Sequence, residues 1–155
     1  MTVTAWRIAK RKHARAAFTG EGARLFGGRW NNPGIALVYT AQSQSLAALE
    51  MLVHLDSAEL LASYVLFEVR IDESLVEQVE LSELPRNWRD DPPPRKVRAM
   101  GDAWVVGGTS AVLRVPSIVV PGENNFLLNP RHKDFPRLQI GKPLPFRFDP
   151  RLARE

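Results

Sequence analysis

The chain has no cysteine, three histidines and no long hydrophobic run. Without cysteine there is no disulfide framework, no thiolate nucleophile and no cysteine-based zinc site. His13, His54 and His132 are too scattered to form a recognisable ligand pair, so no metal is expected. No stretch approaches the roughly 18 apolar residues of a membrane span. The opening MTVTAWRIAKRKHARAAF has basic residues but no continuous apolar segment, which argues against a signal peptide. A cytoplasmic protein with no membrane association fits these absences best.

What is present is ordinary for a globular domain. The chain has 155 residues, 45% of them hydrophobic and 25% charged, enough to bury a core without metal or disulfide help. We read residues 1–155 as one domain, with the basic segment of about 9–20 and the tail of about 150–155 expected as flexible. The net charge is +4 and the pI about 9.8. Much of the excess lies early: Arg7, Lys10, Arg11, Lys12, Arg15, Arg24 and Arg29 stand against Glu21 alone. Such a lobe attracts polyanions or phosphorylated ligands, although Lys10 to Arg15 read equally well as a solvated face.

Local patterns predict an α+β domain with a small, split, mostly antiparallel sheet and flanking helices. AWRI (5–8) reads as a first strand, and the glycines around Arg24 and Arg29 as loops and tight turns. IALVYTA (35–41) and SYVLFEVRI (63–71) are strands. A helix is expected from about Ser43 to Leu55, with Ser43 or Ser45 at its N-cap. The four prolines of SELPRNWRDDPPPR (82–95) mark a surface loop, and VRAMGDAWVVGG (97–108) a helix ending at its glycine pair. SAVLRVPSIVVP (110–121) reads as two strands broken at Pro116, ENNFLLNPRHKDF (123–135) as irregular, and 137–149 as one or two final strands.

Within the helix, Leu46, Leu49, Glu50 and Val53 follow the spacing of one face, and the apolar neighbours predict a largely buried helix. Glu50 therefore points into protein or into a cavity, where an unpaired carboxylate shifts its pKa upward or costs several kcal/mol, about 2–7 for an uncompensated polar group. It is either half of a structural ion pair, with an arginine or with His54, or a carboxylate lining a functional pocket. His54 reads as a supporting residue more than a catalyst. Arg24 and Arg29 sit on glycine-bounded turns, where a guanidinium can meet phosphate oxygens with two parallel hydrogen bonds. Neither a P-loop nor a dinucleotide-binding glycine fingerprint accompanies them. Tyr39 ends an apolar run at a strand-to-helix junction, either stacked on a flat ligand or packed in the core with its hydroxyl bonded.

Taken together, WRI, GARLFGGRWNNPG, VYTA followed by LAALEMLVHL, and VPSIVVPGENNFLLNPRH resemble the RES domain. This is the toxin component of RES–Xre toxin–antitoxin modules, and the likeness spans nearly the whole chain. The resemblance implies a fold like that of the ADP-ribosyltransferase toxins, with a cleft for NAD. It implies either destruction of NAD, by hydrolysis or phosphorolysis, or transfer of ADP-ribose to a protein. The family's arginine falls on Arg24 or Arg29, its glutamate on Glu50 and its serine on Ser117, while Tyr39 and Asn125 match neighbouring blocks. On this reading Glu50, Arg24 and Arg29 are catalytic, and Tyr39, Ser117 and Asn125 bind substrate. NAD is the substrate, no cofactor is required, and the partner is an Xre-type antitoxin. A homodimer is compatible with the family, although no interface is legible. A third reading, a basic nucleic-acid-binding module, is disfavoured: the chain lacks a helix-turn-helix signature, an RNP-like strand and a set of exposed aromatics.

Overall fold

The computed structural model describes residues 1–153. Its framework is a curled sheet of eight strands: β1 (Thr2–Lys10), β2 (Val38–Ala41), β3 (Tyr64–Asp72), β4 (Val76–Gln78), β5 (Val112–Pro116), β6 (Asn124–Leu128), β7 (Gln139–Ile140) and β8 (Leu144–Phe146). The order is β4-β5-β6-β2-β1-β3-β7, with β8 also on β3, and every pairing is antiparallel except β4 with β5. Helices α1 (Glu21–Phe26), α2 (Gln44–Leu52), α3 (Ser57–Leu60) and α4 (Arg95–Gly107) flank it.

The sheet is split, as expected. β1 and β3 pair along their whole length, from Thr2 opposite Asp72 to Lys10 opposite Tyr64. β1 and β2 meet only at Trp6 opposite Ala41. Beyond that point the two strands diverge and cannot satisfy each other's backbone groups, so the two halves of the sheet open a seam.

One core on one face of the sheet joins the two halves, and further cores pack on the other face. Ala5, Val38, Val69, Ile71, Val112, Phe126 and Leu128 fill one face across the seam. On the other face Leu37, Leu113, Val115 and Leu127 pack against Val97 and Trp104 of α4, together with Trp30 and Trp88. Ile8, Tyr64 and Leu66 receive Leu46 and Ala47 of α2.

Several local expectations are corrected. Residues 124–128, expected as irregular, are a central strand. Phe126 and Leu128 face one core and Leu127 the other, so no apolar–polar alternation marks the segment. The second strand expected after Pro116 does not form. The Ser117 hydroxyl accepts the N–H groups of Val119 and Val120, which turns the chain instead of extending it. The glycine-rich loop contains the short helix α1. Residues 11–16 of the basic segment form a 3-10 helix, and another spans Pro150–Leu152, while 154 and 155 of the expected flexible tail lie outside the described residues. Finally, α2 is not largely buried: Leu46 and Ala47 are, but Leu49 and Val53 are 43% and 60% exposed. One stripe of the helix packs on the sheet and a second faces the seam, leaving the third to solvent.

Candidate active site

The seam opens into a cleft of about 930 Å³. β1 lends Trp6, Arg7 and Ile8 to its wall, and β2 lends Tyr39, Thr40 and Ala41. From the α2 segment come Ala47, Glu50, Met51 and His54, whose i, i+3, i+4, i+7 spacing makes a stripe adjacent to the one read from sequence.

Glu50 is held at the wall by a short chain of contacts that begins at the helix start. The Ser43 hydroxyl accepts the N–H of Leu46, capping α2, and donates to Glu123. Gln42 accepts the N–H of Asn124 at 2.7 Å, so the start of α2 and the start of β6 are clamped together. That clamp brings Asn125 under Glu50. Asn125 Nδ2 donates to Glu50 Oε1 at 2.7 Å and to the Thr40 carbonyl at 3.1 Å. No cation pairs with Glu50 among the described residues. Burial therefore dominates and pushes its pKa up to about 7, with the Asn125 hydrogen bond pulling down and the Glu123 charge pushing up. The structural ion pair weighed from the sequence is not formed there.

Arg29 and Tyr39 belong to one braced turn. Asn31 is fully buried, and its Nδ2 donates to the carbonyls of Ala23, Asn32 and Ile35. Tyr39 donates its hydroxyl to Asn31 Oδ1 at 2.5 Å and accepts the Trp30 N–H at 3.0 Å. Gly28 is required here, since a Cβ would stand 2.5 Å from the Tyr39 hydroxyl oxygen. Asp102 on α4 accepts from the backbone and side chain of Asn32. Gly101 lets α4 approach so closely that any Cβ would fall on the Trp30 carbonyl. The turn thus presents Arg29 rigidly; its Nη1 donates to the carbonyls of Trp88 and Asp90, each at 3.0 Å. Burial lowers the Arg29 pKa and pushes that of Tyr39 well up; Tyr39 lines the cleft and also packs against the core around Trp30 and Leu127, with its hydroxyl bonded.

Arg7, which the sequence placed only within a basic lobe, lies at the seam itself. Its Nε donates to the Ala17 carbonyl at 2.7 Å and its Nη1 to the Tyr39 carbonyl at 2.9 Å, bridging the divergent strands. Burial lowers its pKa to about 10, which leaves it charged at neutral pH. A cation in the middle of the apolar strand AWRIA was the signal that could have found it.

Glu50, Arg29, Tyr39 and Asn125 share the cleft. Arg24 and Ser117 do not line it. The guanidinium of Arg24 is turned onto Glu21, with contacts of 2.5 to 2.9 Å, and the Ser117 hydroxyl is spent on its own loop. His132 is tied to the Gly108 carbonyl and the Asp134 N–H, away from the site. His54 stands exposed at the edge of the cleft. Among the described residues no cluster of three metal-ligating side chains occurs, and no helix is long and apolar enough to cross a membrane.

The fold is thus an α+β domain with a split sheet, whose seam cleft is lined by the desolvated Glu50 carboxylate and by Arg7, Arg29 and Arg98. The chain belongs to the RES-domain family, whose match covers residues 4–149. It is 45% identical over 148 residues to the Toxin Res of Yersinia enterocolitica, spanning 95% of this chain and 97% of that one. To the Toxin Res of Photorhabdus laumondii it is 39% identical over 150 residues, 96% of each chain. The Prs ADP-ribosylating toxin of a Sphingobium species is 37% identical over 160 residues, covering 100% of this chain and 99% of that relative. A chain from the crystal structure of the M. tuberculosis MbcT–MbcA toxin–antitoxin complex has the same fold, with a TM-score of 0.76 at 20% identity, over 99% of this chain and 87% of that one.

Proposed function

We propose that this protein is the toxin of a toxin–antitoxin pair and that it cleaves the nicotinamide–ribose bond of NAD in the seam cleft. The observation that carries the reading is Glu50: a carboxylate with no paired cation among the described residues, desolvated at the wall of a cleft that also holds Arg7 and Arg29. Breaking a glycosidic bond to a pyridinium leaves oxocarbenium character on the ribose. A fixed negative charge in a low-dielectric site stabilises that cation far more than the neutral ground-state sugar. Holding the dinucleotide in place supplies the rest. Arg29 and Arg7 keep N–H groups beyond those bound to carbonyls, and these restrain the phosphates or ribose. The Tyr39 ring stacks on nicotinamide, its hydroxyl already committed. Asn125 orients Glu50.

Phe26 and Val53, 84% and 60% exposed at the rim, give an antitoxin of the Xre type an apolar footing from which to cover the cleft. Both partners then act in the cytoplasm, where NAD is found.

The deciding experiment is incubation of purified, antitoxin-free protein with NAD, with and without phosphate. Water as acceptor yields ADP-ribose, and phosphate yields its phosphate ester. Intact NAD after prolonged incubation overturns the reading. A second reading, transfer of ADP-ribose to a protein, is favoured by the name of the Sphingobium relative, an ADP-ribosylating toxin. It requires that labelled NAD mark a target protein and that NAD alone be consumed slowly.

A further inference from the structure

Among the described residues one buried side-chain nitrogen or oxygen lacks a hydrogen-bond partner: Nε of Arg98. An unmet buried donor costs about 1–3 kcal/mol, and more when it belongs to a charged group. Folded proteins seldom leave such a group unpartnered.

Arg98 lies in the first turn of α4 and lines the same cleft as Arg29 and Glu50. No carboxylate pairs with it among the described residues. Its neighbour Val97 is fully buried in the core, which fixes the helix and prevents the side chain from escaping by a shift of its backbone. The segment leading into α4 is also fixed, because the carbonyls of Trp88 and Asp90 hold Arg29. The first turn of α4 has no acidic residue, and the helix dipole there favours an anion. Arg95 and Lys96, its other two cations, are exposed and do not line the cleft, whereas Asp91 just before the helix does.

We propose that Arg98 is a substrate-binding residue that receives the pyrophosphate of the dinucleotide. The two Nη groups of the guanidinium can meet two phosphate oxygens arriving from the cleft, while the solvent-shielded Nε stays behind them. Arg98 and Arg29 then grip the pyrophosphate from one wall while Glu50 acts on the ribose. This rests on the proposed NAD reading, but the anion site can be tested without it.

The test uses R98Q and R98K in the full chain. Calorimetry with inorganic pyrophosphate should show binding by the wild type and at least tenfold weaker binding by R98Q. With NAD, R98Q should raise KM about tenfold or more and change kcat less than threefold. With nicotinamide riboside, which has the same scissile bond and no phosphate, the loss should be at least tenfold smaller. R98K keeps the charge without the fork and should recover only part of the NAD affinity. It also serves if R98Q fails to fold. Pyrophosphate binding equal in wild type and variants, or absent from the wild type, overturns the proposal. So does an unchanged KM for NAD. If pyrophosphate binding depends on Arg98 but NAD stays intact, the anion site stands and the NAD-cleaving reading falls.

Discussion

Replacing Glu50 by glutamine separates chemistry from stability in one variant. In the folded protein the carboxyl titrates at about 7 instead of 4.5, chiefly because burial disfavours its charged form. The folded state therefore holds a proton that the unfolded chain releases, and stability must fall as pH rises from about 4.5 through about 7. Full ionisation of the buried group costs about 3 kcal/mol, an upper figure because water reaches part of the site. Glutamine has no charge to bury, and its Oε1 can still accept from Asn125. The two proteins should thus be equally stable near pH 4.5, with the variant gaining up to about 3 kcal/mol by pH 8. At this chain length that is a rise in Tm of about 6–12 °C. NAD consumption should fall by at least 100-fold, since the charge that braces the cationic sugar is gone. Urea unfolding from pH 4.5 to 8, paired with an NAD-loss assay, reads both. Parallel stability profiles would refute the desolvated carboxylate, and wild-type turnover in the variant would refute its role.

Other perturbations follow from the same geometry. In wild type, kcat/KM for NAD should rise with pH through about 7 as Glu50 ionises, and Asn125→Ala should move that midpoint upward, because the lost hydrogen bond lowers the Glu50 pKa; a pH profile of each protein checks this. Tyr39→Phe leaves the Trp30 N–H and the buried Asn31 Oδ1 without their partner, so urea unfolding should report a loss of about 2–4 kcal/mol while KM changes little. Alanine at Arg29 should lower kcat/KM at least tenfold more than alanine at Arg24, whose guanidinium is engaged outside the cleft by Glu21; steady-state kinetics on the two variants decide between them.

The sequence by itself determined the class of fold, the absence of cysteine chemistry and the position of the chemically expensive carboxylate. A glutamate among LAAL and MLV is conspicuous because each neighbour is apolar, and the strands at 35–41 and 63–71 are legible because β-branched and aromatic residues cluster there. Tertiary structure decided the rest. The strand at 124–128 was hidden because burial on both faces erases alternation, yet it is the strand that delivers Asn125 to Glu50. Arg24 and Arg29 look equivalent on a glycine-rich segment. Only the intervening turn, cross-braced through Asn31, Tyr39 and Asp102, places one of them in the cleft while the other folds back on Glu21. Arg7 and Arg98 lie far apart in the chain and carry no local motif. They line one cleft because β1 parts from β2 after a single register pair and because Gly101 lets α4 close against Trp30, and such long-range contacts leave no trace in a window of neighbouring residues.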